Sequence, residues 1–230
     1  MPASPLAKRP LIDGDCDGYI ILRRIFPLNH VRFPPVDRGG SAYNGAGATS
    51  SEKTMTYAFK AIPSPVGELK LVASDKGLVA ILWENDRPGR VRLGPMAQDD
   101  GHPVLVEAER QLQDYFAGAR TAFSVPLDFQ GTDFQKKVWT ALLAIPFGET
   151  RSYAQIARQL GRPSASRAVG AANGRNPISI IAPCHRVVGS NGALTGFAGG
   201  LEAKALLLDL ERGLARPGLT QPNPSYEHLR

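Results

Sequence analysis

Residues 57–83 read YAFKAIPSPVGELKLVASDKGLVAILW, and this stretch decides the fold class. It contains three apolar or alternating segments, Tyr57–Ile62, Leu69–Ala73 and Leu78–Trp83, separated by turn residues at Pro63-Ser64-Pro65 and Asp75-Lys76-Gly77. Short segments of this kind, joined by such turns, are typical of neighbouring antiparallel strands. We therefore predict a small antiparallel sheet.

The chain after this sheet changes to a helical pattern. Apolar residues recur at helical spacing through Val104–Ala117, and Gly118 can end that helix. Further helices are predicted at Phe134–Ile145, Tyr153–Leu160, Ser164–Asn173 and Leu201–Leu210. The expected fold class is α+β, with a small N-terminal α/β domain at residues 55–126 and a mostly helical domain at 127–215. Residues 1–54, rich in Pro, Gly and Ser, are predicted to be a flexible or non-native extension, and 216–230 a tail.

Composition restricts the class of protein and its compartment. The 230 residues carry a net charge of +6, which favours a polyanionic partner such as DNA, although a merely soluble basic protein fits equally well. No apolar run approaches the length of a membrane span. Asp13, Asp15 and Asp17 interrupt any secretory signal. We therefore expect a cytoplasmic protein with no membrane partner.

Cysteine usage excludes two further classes. The chain contains only Cys16 and Cys184, too few for a disulfide framework or a four-cysteine zinc site. Cys16 lies among three aspartates, and their charge would raise its pKa and suppress the reactive thiolate. Cys184 is thus the candidate nucleophile.

Cys184 lies in the run IAPCHRVV, residues 181–188. A free cysteine is more often a small buried apolar residue than a reagent. Here Pro183 is expected to end an apolar strand at 178–182 and leave the sulfur exposed. The cationic neighbours His185 and Arg186 are expected to lower the pKa of the thiol. Turns rich in Gly and Asn on both sides would let the backbone approach a ligand.

The run Pro183-Cys184-His185-Arg186-Val187 resembles the active-site signature of the O6-alkylguanine-DNA alkyltransferases, which are self-inactivating DNA repair proteins. The resemblance extends over roughly residues 55–213 through several ordered motifs, namely Ser152-Tyr153, Arg167-Ala168-Val169-Gly170, Asn176-Pro177, Gly199-Gly200-Leu201 and the Lys204–Glu211 helix. It implies that Cys184 takes the alkyl group from guanine O6 as a stable thioether, in a single turnover and without a cofactor.

The same resemblance assigns roles around the thiol. His185 would deprotonate Cys184 through a water molecule, and Glu211 would orient the imidazole. Asn176 would brace the site, and the Tyr153 hydroxyl would donate to the departing base. Taken singly, each has an ordinary alternative: a surface histidine, a solvated glutamate, a turn asparagine and a core tyrosine.

DNA contact is assigned to a winged-helix-like domain that carries the active-site cysteine. Tyr153–Leu160 and Ser164–Asn173 fit a helix-turn-helix, with Ser164 as the expected N-cap of the second helix. By resemblance this helix enters the minor groove, and Arg167 replaces the extruded nucleotide. A lone arginine would more often contact phosphate. The resemblance places DNA or base contacts at Arg167, Ala168, Arg175, Val187, Ala198, Gly199 and Lys204. The expected partner is double-stranded DNA containing O6-alkylguanine, bound by a monomer.

Two departures from the family pattern bear on substrate and metal. Ala198 and Phe197 stand where some relatives have serine and tyrosine, so backbone amides around Ala198 and Gly199 would hold the guanine, and the preferred alkyl size is open. Some relatives bind zinc in the N-terminal domain, but residues 55–126 contain no cysteine here. We expect no metal.

Three other functions remain as alternatives. An alkylation- or redox-sensing DNA-binding protein would use the same helix pair and thiol. A cysteine hydrolase would need an oxyanion motif that the sequence does not display. A non-repairing alkyltransferase-like protein would lack the acceptor, whereas Cys184 is present.

Overall fold

The structure is a computed structural model that describes residues 56–213. The predicted extension at 1–54, the tail at 216–230 and Cys16 therefore lie outside the described residues. Within residues 56–213, no helix is both long and apolar enough to cross a bilayer.

The first half of the described chain is a four-stranded sheet in the order β3-β2-β1-β4. The strands are β1 (Tyr57–Ile62), β2 (Leu69–Ser74), β3 (Gly77–Trp83) and β4 (Met96–Gln98). The three predicted strands are confirmed to within one residue, and they pair in antiparallel fashion. The sheet as a whole is mixed, because β4 runs parallel to β1. Sequence patterning missed β4 because it has three residues, all exposed.

One helix, α1 (Pro103–Phe116), packs against this sheet. Proline suits its first turn, where the backbone N–H has no helical partner. Leu105, Ala108 and Leu112 repeat at helical spacing and are fully buried. Strand β3 is buried along most of its length, and Ile81 N in it donates to Pro177 O at 2.8 Å. This hydrogen bond connects the sheet to the segment that precedes Cys184.

The second half is mostly helical. It contains α2 (Asp133–Leu143), α3 (Tyr153–Gln159), α4 (Ser166–Asn173) and α5 (Gly200–Glu211). A short parallel pair, β5 (Arg151–Ser152) and β6 (Val187–Val188), joins the start of α3 to the segment after Cys184. The predicted α+β class, with a helical second domain, is confirmed.

The caps explain where the helices begin. Thr132 and Ser152 each form a capping box with the glutamine three residues later. The prediction of Ser164 as an N-cap is wrong: Pro163–Ala165 forms a 3₁₀ turn, and α4 begins only at Ser166 without a side-chain cap. Packing holds this uncapped helix instead, since Val169 and Ala172 on it are buried.

Candidate active site

The segment before Cys184 is a strained loop. A strand was expected at residues 178–182, but within that span only Ile178 pairs with a strand of the described sheet, beside Ile81. Ile181 N donates to Ser179 O at 3.0 Å, which closes a three-residue turn around Ile180. Ile180 has a φ of +74°, an unfavourable region for a β-branched residue. The predicted strand is therefore wrong.

Pro183 sets the direction of the chain at the cysteine. Its φ of −79° and ψ of 68° are those of an inverse γ-turn, and Cys184 N donates to Ala182 O across it at 2.7 Å. The pyrrolidine ring holds φ close to that value. Cys184–Arg186 then form one 3₁₀ turn, all buried. The turn directs all three side chains into the protein interior.

Cys184 is 3% exposed, so the expectation of an exposed sulfur is wrong. Burial raises the pKa of its thiol above the usual value, and the expectation of a lowered pKa is wrong for the same reason: water is excluded from the thiolate. Hydrogen bonding with Asn176 and Ser179, followed by the charges of Lys204 and Arg90, acts in the opposite direction. Ser179 Oγ lies 3.9 Å from Cys184 Sγ.

His185 and Glu211 form a buried pair. The imidazole Nε2 and Glu211 Oε1 are 2.7 Å apart, and both side chains are inaccessible to solvent. Burial lowers the pKa of His185, although Glu211 opposes this effect. The other ring nitrogen, Nδ1, is buried without a hydrogen-bond partner among the described residues. A carboxylate at Nε2 fixes a proton there and leaves the Nδ1 lone pair available as a base.

Glu211 is the most heavily hydrogen-bonded side chain of the site. Arg186 donates through Nε to Oε2 at 2.8 Å and through Nη2 to Oε1 at 2.9 Å. The Tyr115 hydroxyl donates to Oε1 at 2.8 Å, and Gly148 N donates to Oε2 at 3.1 Å. Burial alone would raise the pKa of Glu211, but the contacts with His185 and Arg186 outweigh it and lower the pKa to about 2. The group is therefore a carboxylate at neutral pH.

Asn176 holds the strained loop together. Its Nδ2 donates to Ala182 O at 2.7 Å, and its Oδ1 accepts from Ile178 N at 3.1 Å. Its own carbonyl accepts from Arg90, which also donates to Ile81 O at 3.1 Å and pairs with Asp86. The expected bracing role of Asn176 thus has a counterpart in the structure, reinforced by Arg90 from the segment between β3 and β4.

Tyr153 and Lys204 both reach the loop before α5. Tyr153 Oη lies 3.1 Å from Thr195 Oγ1. Lys204 is fully buried and donates from Nζ to Val187 O at 2.6 Å and to Thr195 O at 2.7 Å. Burial lowers the pKa of Lys204 to about 8. Lys204 therefore ties the loop to β6, where Val187 is buried.

The loop at Phe197–Gly200 packs against the sheet. The rings of Phe197 and Trp83 meet edge to face with centroids 5.3 Å apart. A Cβ added to Gly199 would lie 2.5 Å from the Trp83 ring, so glycine is required for this approach. Ala198 and Gly199 also line a cavity of about 290 Å³ between the loop and the residues after β3.

Three residues predicted to contact DNA lie on α4 or just after it and face solvent. Arg167, Ala168 and Arg175 are exposed, while Val169 between them is buried. They therefore lie on an outer surface, apart from the buried cluster of Cys184. The small side chain of Ala168 lets the helix backbone come close to a partner, and Arg167 beside it can reach into that partner.

The structure adds site residues that sequence reasoning missed, chiefly Arg90, Tyr115 and Ser179. Arg90 and Tyr115 come from the first half of the chain, 94 and 69 positions before Cys184 in the printed sequence. No motif marks either residue, since each acts through a contact that exists only after folding. Ser179 stands five residues before Cys184, and that proximity was the only available signal.

Comparison with known proteins gives a consistent result. A family model described as 6-O-methylguanine DNA methyltransferase, DNA binding domain, matches residues 133–213, and the ribonuclease-like domain of the same family matches 56–129. The methylated-DNA–protein-cysteine methyltransferase of Mycobacterium tuberculosis H37Rv is 49% identical over 164 residues, covering 70% of this chain and 96% of that protein. The constitutive methylated-DNA–protein-cysteine methyltransferase of Bacillus subtilis is 50% identical over 162 residues, covering 69% of this chain and 96% of that protein.

A solved structure agrees with these relatives. The crystal structure of Mycobacterium tuberculosis OGT in complex with DNA is 48% identical, with a TM-score of 0.63, and covers 72% of this chain and 98% of that chain. The two domain models of the family match this chain one after the other, and the curated relatives are about half identical to it over almost their whole length. This chain belongs to the 6-O-methylguanine DNA methyltransferase family.

Proposed function

We propose that this protein repairs O6-methylguanine in DNA by transferring the methyl group to Cys184. Family membership supplies the reaction, and one observation in the site carries the assignment: Cys184 begins the same buried turn as His185, whose Nε2 pairs with Glu211 and whose Nδ1 has no hydrogen-bond partner within residues 56–213. A nucleophile, a base and a group that orients the base are thus adjacent.

The protonation states of Cys184 and His185 explain why the reaction needs a general base. Burial raises the pKa of the Cys184 thiol, so the resting sulfur is protonated at neutral pH. Burial lowers the pKa of His185, so its imidazole is neutral and can accept a proton at Nδ1. We infer that the proton passes between them through a bridging water molecule. The charge of Glu211 then stabilises the imidazolium.

The transfer balances without a cofactor. The thiolate attacks the methyl carbon, the S–C bond forms, and the bond from that carbon to guanine O6 breaks with its electron pair left on the base. Tyr153, whose hydroxyl lies at the loop beside Thr195, donates a proton to the departing guanine. The proton taken from Cys184 replaces the one that Tyr153 gives up, so the number of protons on the protein and the base together is unchanged. The product thioether has no electrophilic carbonyl for water to attack, so each molecule acts once.

Access to the buried thiol requires that the nucleotide leave the duplex. The methyl carbon of a stacked O6-methylguanine cannot reach a sulfur that is 3% exposed. The exposed Arg167 and Ala168 on α4 support docking of this helix in the minor groove, with Arg167 filling the vacated place in the stack. Val187, Ala198, Gly199 and Lys204 then shape the pocket, and Arg175 contacts the backbone.

The alternative function, a redox-sensing DNA-binding protein, fits the site less well. Sensor cysteines combine a low pKa with solvent access. Cys184 has a raised pKa and is buried, so it favours a reaction in which one specific substrate is brought to the thiol. The expectations of a cytoplasmic, monomeric and metal-free protein stay predictions.

Mass spectrometry of the protein after incubation with a duplex that contains methyl-labelled O6-methylguanine tests the proposal. One label per molecule is expected on Cys184. Cys184→Ala should bind the damaged duplex without taking the label, whereas the matched Cys16→Ala variant should retain full transfer. An unlabelled Cys184 at protein excess, or a label on another residue, would overturn the assignment. Parallel duplexes with O4-methylthymine or O6-benzylguanine measure substrate range.

A further inference from the structure

The Tyr115 hydroxyl contacts the carboxylate oxygen of Glu211 that pairs with His185. It donates to Glu211 Oε1 at 2.8 Å, and that same atom lies 2.7 Å from His185 Nε2 and accepts from Arg186 Nη2 at 2.9 Å. One phenolic hydroxyl from the first half of the chain is thus connected to the His185 ring through one carboxylate oxygen.

Packing leaves this hydroxyl little freedom. Tyr115 is 0% exposed, on the last turn of α1. The rings of Phe116, Phe123 and Phe147 surround it, with centroids at 5.4, 5.4 and 6.2 Å. A buried hydroxyl needs a partner, and Glu211 is the acceptor present. The hydroxyl is therefore held in a fixed direction toward Oε1.

We propose that Tyr115 is a positioning residue for alkyl transfer, which sets how strongly Glu211 stabilises a proton on His185. This inference rests on the proposed function. A donor on Oε1 neutralises part of the charge of the carboxylate. Without that donor, Glu211 attracts the imidazolium more strongly, so the protonated form of His185 is favoured. The base then stays charged up to a higher pH and is less available to accept the proton of Cys184.

Other charged groups face His185, and all of them remain when Tyr115 is changed. Glu211 and Lys204 approach from α5, and Arg186 and the titratable thiol of Cys184 belong to the same turn as His185. Arg186 and Lys204 disfavour a second positive charge nearby, whereas Glu211 favours it. Removal of the Tyr115 hydroxyl therefore changes a single contribution to the protonation equilibrium of His185.

Tyr115→Phe with two readouts tests the proposal. Histidine NMR titration is tractable because the chain has four histidines, and the resonance of His185 is identified by its absence in His185→Gln. We expect the pKa of His185 to rise, and the acid limb of the single-turnover rate against pH to move to higher pH. At pH values on the acid limb, the single-turnover rate of Tyr115→Phe should be about fivefold lower than that of the wild type. This factor is equivalent to about 1 kcal/mol, a typical contribution of one hydrogen bond.

Ser74→Ala is the matched control. Ser74 is buried in the same half of the chain and donates to a different carboxylate, Asp128 Oδ2, at 2.8 Å. It should lower thermal stability as Tyr115→Phe does and leave the pH profile unchanged. A merely structural Tyr115 would make the two variants behave alike, with lower stability and an unshifted profile, and that result would overturn the proposal.

Site-specific 3-fluorotyrosine at position 115 supplies the test of opposite sign. It preserves the packing and strengthens the donor, so the pKa of His185 and the acid limb should both move down. An unmoved titration of His185 refutes the role of Tyr115, even if Tyr115→Phe does not fold. The proposed function fails separately: in that case wild-type Cys184 takes no label, whatever the titration of His185.

Discussion

Glu211→Gln offers a quantitative test of the buried cluster. Glutamine keeps the size of the side chain but removes its charge, and it presents one N–H₂ group where two oxygens now accept hydrogen bonds. At least one donor among Tyr115, His185, Arg186 and Gly148 then faces another donor. Arg186, which is 6% exposed, also loses its counter-charge.

The magnitude follows from two independent lines. Lowering the pKa of Glu211 from 4.5 to about 2 corresponds to about 3 kcal/mol in favour of the folded carboxylate. Removing one partner from a buried ion pair typically costs about 3–5 kcal/mol, because the other charge stays buried. We therefore expect the free energy of unfolding at pH 7 to fall by about 3 kcal/mol, and Tm by about 6–12 °C.

The contribution of Glu211 to the free energy of unfolding depends on pH with a defined sign. The pKa of Glu211 is lower in the folded protein than in the unfolded chain, so its contribution is complete above about pH 4.5 and is lost as the pH falls toward 2. Urea unfolding at several pH values should show the wild type and Glu211→Gln converging over that window. The variant should also lose alkyl transfer, since the imidazolium of His185 is no longer stabilised.

Glu107→Gln is the matched control. A hydrogen bond from Arg110 lowers the pKa of Glu107 to about 2 as well, but the Glu107 side chain is 42% exposed, and water screens the pair. Its replacement should leave the unfolding midpoint essentially unchanged. A loss of less than about 1 kcal/mol in Glu211→Gln would contradict this role of the buried carboxylate, as would a difference from the wild type that stays constant as the medium is acidified.

Three further changes probe the loop and the helix. Gly199→Ala should displace the loop, because a Cβ there lies 2.5 Å from Trp83; single-turnover transfer should slow, and adding Trp83→Leu should restore part of the rate. Arg167→Ala should slow transfer from duplex DNA but not from free O6-methylguanine base, since the residue is exposed and acts on the duplex; equal slowing contradicts the extrusion role. Arg90→Met should lower stability by about 2–5 kcal/mol, seen in chemical denaturation, by leaving the Asn176 carbonyl and the half-buried carboxylate of Asp86 without their donor.

Local pattern predicted most elements because their signals are local. Alternation and turn residues placed β1, β2 and β3, and helical spacing placed α1 to within one residue. It failed at residues 178–182, where an apolar run indicated a strand. The loop there instead bends at Ile180 and Pro183, and it is held by hydrogen bonds from Asn176. Those bonds involve residues whose pairing no periodicity reveals.

The sequence by itself determined the fold class, the family resemblance and the identity of Cys184 as the acceptor candidate, since these depend on residue types and on spacing along the chain. Only the tertiary structure decided the chemical state of that thiol. Adjacent His185 and Arg186 suggested a lowered pKa, yet the turn buries all three side chains, so loss of hydration outweighs their charge and raises the pKa of Cys184. Charge effects depend on distance and on water exclusion in three dimensions, and both are set by contacts between residues far apart in the chain, such as Tyr115 with Glu211.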